Sequence, residues 1–230
     1  MVANKPVAVI DYSVDGISGG RISSWLKVPF TAVRVVEGEP FPSMAAEDYR
    51  AVIHSGSSYS IIEDTFFMEG AISFVKRCSE AGVPQMGICY GHQLLARATV
   101  GIDAVARCRA IEIGWKDVYF LPEWSVAGLS GEKAVWQSHY DCVVDLPAGS
   151  VVTATNSHTK IQAFVNHRMK LFGTQFHPEF DRVQGNECFA EDIELFTKNN
   201  MDLEAVLASG PGFNTGEVVF DHFLKTFRQE

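Results

Sequence analysis

The stretch Pro84-Gln-Met-Gly-Ile-Cys-Tyr-Gly-His-Gln-Leu-Leu-Ala96 decides the fold. Pro84–Ile88 reads as a buried strand, and Tyr90–Thr99 as a helix with Leu94, Leu95 and Ala98 on its apolar side. Between them, Gly87-Ile88-Cys89-Tyr90-Gly91 is a G-x-C-x-G pattern at a strand-to-helix junction. That is the nucleophile elbow with cysteine in place of serine. The flanking glycines suit a turn so sharp that backbone atoms leave no room for a Cβ. A helix starting at Tyr90 aims its N-terminal dipole at the sulfur and favours thiolate, and the Tyr90 N–H is placed to hold an oxyanion. A buried cysteine between glycines at a strand end has the same spacing without any reaction, so the motif alone is not enough.

Working outward, Val7–Ile10, Thr31–Val36 and Ala51–Ile53 are short apolar runs of strand character. Gly16–Lys27 is compatible with a short helix through Ile22, Trp25 and Leu26. Phe67, Ala71, Phe74, Val75 and Cys78 fall on one helical face and predict a helix over Phe67–Cys78. Such βα alternation implies a parallel sheet with helices on both faces. The second half is richer in strands, at Ala110–Phe120, Ala134–Gln137, Val151–Ala154, Ile161–Val165 and Leu171–Gln175. Helices near Ala190–Lys198, Met201–Ala208 and Val218–Phe227 form a tail, from about residue 182, that carries no readable motif. With no repeat and no Pro-, Gly- or Ser-rich linker, residues 1–230 read as one domain.

Composition narrows the function. The 230 residues are 47% hydrophobic and 20% charged, with 28 Asp+Glu against 19 Lys+Arg and a net charge of −9. This is a globular composition, and its acidity argues against a nucleic-acid partner bound through phosphates. No apolar run approaches the about 20 residues that span a bilayer, and the run before Asp11 is too short for a secretory signal, so no membrane partner and a cytoplasmic location are expected. The five cysteines have no CxxC spacing, which speaks against a disulfide framework or a zinc ribbon, and no metal or cofactor is expected.

A cysteine nucleophile needs a base. His92 lies one helical turn beyond Cys89 and points down the helix; His167 sits in a hairpin turn, and His222 in the last helix. His177 instead follows the apolar strand Leu171–Gln175 at its carboxyl end, where open α/β sheets build their sites. Glu179 is two residues on, on the same face of an extended segment stiffened by Pro178, and can orient the imidazole. A Cys89–His177–Glu179 triad follows.

Together, Gly87-Ile-Cys-Tyr-Gly-His-Gln-Leu-Leu95 and Phe172-Gly-Thr-Gln-Phe-His-Pro-Glu179 resemble the class I, triad-type glutamine amidotransferase domains over roughly Ala51–Phe180. The resemblance implies a flavodoxin-like three-layer α/β/α sandwich with a central, mostly parallel sheet. It implies attack by Cys89 on a γ-glutamyl amide, with His177 as acid/base, Glu179 as its orienter and a glutamyl thioester that water then hydrolyses. His54-Ser-Gly-Ser-Ser58 stands where the family carries a Gly-Gly-Pro turn, leaving Gly56 and the N–H of Ser57 as oxyanion donors beside Tyr90. Gln137-Ser-His-Tyr-Asp141 resembles the segment bordering the glutamine pocket in the GMP-synthetase-like branch, which makes Ser138, His139 and Tyr140 substrate contacts; read without the family, it is a polar strand-end turn. Gln93 matches a further glutamine-contacting position.

Neither a P-loop nor another nucleotide signature is present, and Glu112-Ile-Gly-Trp-Lys116 looks like the free-standing members. The sequence therefore favours a stand-alone hydrolase of a small γ-glutamyl substrate. Its alternatives are a glutaminase subunit serving a separate synthetase or acceptor enzyme, and a non-catalytic binding protein on the same fold.

Overall fold

The computed structural model describes residues 5–43, 48–124 and 129–227. Chain order is β1 (Val7–Asp11), α1 (Ile17–Trp25), β2 (Phe30–Arg34), β3 (Ala51–His54), α2 (Met68–Glu80), β4 (Gln85–Ile88) and α3 (Tyr90–Thr99). There follow β5 (Val105–Phe120), β6 (Gly131–Val143), β7 (Val151–Thr155), β8 (Ala163–Asn166) and β9 (Leu171–Thr174). The chain ends in α4 (Arg182–Glu191), α5 (Ile193–Lys198), α6 (Leu203–Ala208) and α7 (Gly216–Thr226). All nine strands join one sheet in the order β2-β1-β3-β4-β9-β8-β7-β5-β6. From β2 to β9 the pairing is parallel; β8, β7, β5 and β6 extend it antiparallel.

Strand pleating explains the apolar runs. Ala8 and Ile10 face α2 and α3, packing with Phe74, Val75, Leu94 and Leu95, whereas Val7 and Val9 face α1 and α7, packing with Ile22, Val219, Phe220 and Phe223. A strand covered on both faces is apolar at every position, and this makes the three-layer α/β/α sandwich. A third cluster seats Phe189 of α4 and Phe196 of α5 against Trp115 and Trp136 of the β5–β6 hairpin.

The strand expectations fall short at that hairpin. Ala110–Phe120 and Ala134–Gln137 capture only part of β5 and β6, which run to 16 and 13 residues. Their outer halves alternate between exposed and covered positions, so no continuous apolar run marks them. The expected helix Ala190–Lys198 is instead two, broken at Asp192, and α4 lies ahead of it.

Register fixes the site. His54 pairs with Gly87 and Gly87 with Gly173, so the carboxyl ends of β3, β4 and β9 lie side by side at one edge.

Candidate active site

Cys89 takes φ 50° and ψ −103° between β4 and α3. A non-glycine residue in that region costs about 1–3 kcal/mol. Two hydrogen bonds of about 0.5–1.5 kcal/mol each offset it: Cys89 N–H to Thr174 O at 2.8 Å and Gly91 N–H to Ser55 O at 3.1 Å. They tie the elbow to its neighbours on both sides. A Cβ on Gly87 would lie 2.3 Å from the Gly91 carbonyl oxygen, and one on Gly91 2.3 Å from that of His54, so both positions demand glycine.

The sulfur, only 4% exposed, lies 3.8 Å from the Ser138 carbonyl oxygen and within hydrogen-bond reach of the His177 ring. His177 is fixed on every side. Its Nδ1 is 2.8 Å from Glu179 Oε1, its backbone N–H donates to Trp136 O at 3.0 Å, and the Trp136 ring meets the imidazole edge-on at 4.8 Å. Gly56 lies against its other flank, where a Cβ would come within 2.6 Å of Cε1. Glu179 is fully buried; its Oε1 also accepts the Ser18 hydroxyl at 2.8 Å, and its backbone carbonyl accepts Trp25 Nε1 at 2.9 Å. Burial by itself lowers the His177 pKa, but the Glu179 carboxylate and the Cys89 thiolate outweigh it and raise the value to about 10. The raised value favours the protonated ring at His177.

The expected oxyanion donors divide. The Gly56 N–H donates to Ser18 Oγ at 3.3 Å, so it is engaged. Among the described residues, the N–H groups of Ser57 and Tyr90 have no acceptor in the protein. The Tyr90 side chain is buried against Tyr12, leaving its backbone as its contribution.

Cys89, Gln93, Ser138, Tyr140 and His177 line a cavity of about 520 Å³. Gln93 Nε2 donates to Asp141 O at 2.7 Å and to Gln175 Oε1 at 3.1 Å. His139 departs from the expected role of its side chain. Its ring is engaged by protein partners, with Nδ1 2.9 Å from Asp141 O and Nε2 2.9 Å from Glu112 Oε2. Burial raises the Glu112 pKa, but the contacts with His139, Asn156 and His158 reverse that and keep it low.

Glu112, His139 and His158 bring ligand atoms within 4.8 Å of one another, the one such grouping of three among the described residues. The Glu112 carboxylate already accepts Asn156 Nδ2 and Gln162 Nε2, so this donor set is taken up by hydrogen bonds rather than arranged for a metal. His92 and His54 are buried away from the sulfur. Burial, together with His139, lowers the His92 pKa to about 3; burial lowers that of His54 to about 4 against the opposing hydrogen bond to Gln85 Oε1. His167 is exposed in its turn, and His222 lies half-buried near Phe172.

Sequence reasoning missed Ser18, Trp25, Trp136 and the far wall of the cavity, which Cys188, Phe189 and Leu195 of the tail supply. Only Asp181, whose side chain caps α4 by accepting the Gln184 N–H, announces that wall locally.

Comparison with known proteins bears on the family and the fold. Residues 27–194 match the family model for glutamine amidotransferase class-I. A subunit of the glutamine-hydrolyzing GMP synthase of Sulfurisphaera tokodaii is 36% identical over 159 residues, covering 68% of this chain and 82% of that protein. The glutamine-hydrolyzing GMP synthase of Listeria monocytogenes is 35% identical over 147 residues, 63% of this chain but 28% of that protein. A glutamine amidotransferase structure from Thermotoga maritima has the same fold, with a TM-score of 0.78 at 22% identity over 97% of this chain and 96% of the other. No helix among the described residues is long and apolar enough to cross a membrane. The chain belongs to the class I glutamine amidotransferase family.

Proposed function

We propose that the chain hydrolyses the amide of glutamine and supplies the ammonia to a separate synthetase. The carrying observation is the Cys89 elbow facing a His177 ring held by Glu179. The Cys89 thiolate adds to the γ-carbonyl carbon, and the N–H groups of Tyr90 and Ser57 hold the oxyanion. His177 gives its proton to the departing ammonia, and a thioester remains on Cys89. Water then adds to the thioester as His177 takes its proton, releasing glutamate and restoring the thiolate. Gln93, Ser138 and Tyr140 hold the amino-acid end, with the His139 backbone beside them.

Support for the partner comes from the relatives, which are named as glutamine-hydrolyzing GMP synthases or as one subunit of such a synthase. These relatives' names favour the subunit reading over the stand-alone γ-glutamyl hydrolase favoured by sequence. One observation keeps it as a second reading: the cavity continues past Cys89 to Ile113, Phe180, Phe189 and Leu195, beyond what an ammonia leaving group needs.

The test is glutamate release by the purified chain from glutamine and from a panel of γ-glutamyl amines, with and without a synthetase protein from the same source. Glutamine turnover stimulated by the synthetase supports the first reading. Faster turnover of a γ-glutamyl amine, with no effect of the synthetase, supports the second. No turnover of any member under either condition overturns both and leaves a binding protein.

A further inference from the structure

Two cysteines outside the triad, Cys108 and Cys142, each adjoin a residue of the cavity wall, Arg107 and Asp141. Cys142 is on β6 opposite Ala106 of β5, and Arg107 pairs with Asp141 in the same ladder. Directly after Arg107 the register breaks, so that β5 residues 108–111 stand opposite Tyr140 alone. A bulge of that size frees the backbone from the ladder and bends the strand. Cys108 opens the bulge and turns back across β6: its sulfur lies 3.8 Å from His139 Nδ1, and the two thiols shift one another's titration. Cys142 Sγ also lies 3.8 Å from the Ala106 carbonyl oxygen. Both residues are partly exposed, unlike Cys78 and Cys89.

We propose that Cys108 and Cys142 are an oxidisable dithiol that closes to a disulfide under hydrogen peroxide and reshapes the wall of the cavity. Three observations support it. The register sets Cys108 two residues beyond Ala106, the partner of Cys142, and the unladdered bulge gives Cys108 the freedom that disulfide geometry requires. Interaction between the two thiols lowers the Cys142 pKa and raises that of Cys108, which makes Cys142 the attacking group and Cys108 the resolving one. Arg107, next to Cys108, has its Nε 3.2 Å from Asp141 Oδ1 and lines the cavity, so tightening the bulge bears on a wall residue directly.

The chemistry balances. Cys142 thiolate attacks one peroxide oxygen, the O–O bond breaks, and the departing hydroxide takes a proton to become water. The Cys108 sulfur, as it loses its proton, displaces hydroxide from the Cys142 sulfenic acid, giving the S–S bond and a second water. Two thiols are oxidised by two electrons and one peroxide is reduced.

The test uses the full chain carrying Cys89→Ala, which removes the triad thiol and leaves glutamine unconsumed. After peroxide, intact mass is expected to fall by about 2 Da and a non-reducing digest to hold the Cys108 and Cys142 peptides linked. Dithiothreitol should reverse both. Glutamine, titrated calorimetrically, should bind the oxidised chain about tenfold more weakly than the reduced one. Adding Cys108→Ser or, separately, Cys142→Ser should abolish the mass loss; two independent variants guard against one that fails to fold. Absence of the linked peptide, or its persistence in either variant, overturns the dithiol. A linked peptide with unchanged glutamine affinity overturns the effect on the cavity. The mapping result does not depend on the glutaminase reading, so the two can fail separately.

Discussion

Replacing Gly56 by alanine tests how tightly the His177 ring is held. The added Cβ would lie 2.6 Å from Cε1. The ring must therefore retreat by about 0.8 Å to reach ordinary contact at 3.4 Å. It has nowhere to go: Nδ1 is held at 2.8 Å by Glu179 Oε1, and the Trp136 ring closes the edge at 4.8 Å. A displacement near 1 Å in a reacting group costs about 100-fold in rate, equivalent to about 2.7 kcal/mol of transition-state stabilisation. Overpacking of this kind also destabilises the fold by about 1–3 kcal/mol. The assay is steady-state glutamate release from glutamine, with thermal unfolding of the same sample to show that the variant is folded. The expected result is a fall in kcat with a modest fall in Tm. A folded Gly56→Ala chain with kcat within about threefold of wild type would refute the reasoning.

Further predictions concern the groups behind the triad. Ser18→Ala removes a hydrogen bond to the Glu179 carboxylate of a class worth about 1.5–3 kcal/mol, so kcat should fall by about 10- to 100-fold with little change in KM; steady-state kinetics check it. Glu179→Gln removes the charge that raises the His177 pKa. A histidine raised from 6.5 to about 10 contributes stability that is complete below pH 6.5 and is lost as pH rises through 10. The Tm gap between wild type and this variant should therefore shrink on going from pH 6 to pH 10, about that window, and a constant gap would contradict it. His92 is buried with its pKa lowered from 6.5 to about 3, so the wild type should lose stability as pH falls through that range. Urea unfolding of His92→Leu at a series of pH values should show a shallower acid loss than wild type.

The elbow was legible because everything that defines it is local: two glycines, a cysteine and a following helix within one short stretch. His177 and Glu179 were legible because their partnership spans two residues of extended chain. Ser18 was not, since it reaches Glu179 across 161 positions and no local pattern marks it. His139 shows how a residue can be right in place and wrong in orientation. On the pleated β6, Ser138 and Tyr140 share one side and His139 points to the other. Extending the expected strand Ala134–Gln137 through Asp141 would have set His139 on the side opposite Ser138 and Tyr140. Helix α4 escaped because only Gly185 and Phe189 of it are buried, so its sequence lacks an apolar stripe. The match to glutamine-hydrolyzing synthase subunits shifts the functional weight from a stand-alone hydrolase toward an ammonia-supplying one. That distinction depends on who receives the ammonia, which no residue near Cys89 encodes.

The claim beneath all of this is that Cys89 is the nucleophile toward a γ-glutamyl carbonyl. The most direct measurement is peptide mapping by mass spectrometry after incubation with 6-diazo-5-oxonorleucine, a glutamine-shaped electrophile, at neutral pH. The account predicts one adduct, on Cys89, formed in step with loss of glutamate release and slowed by excess glutamine. An unmodified Cys89 with Cys108, Cys142 or Cys188 labelled instead, or Cys89 labelling without loss of turnover, would contradict it.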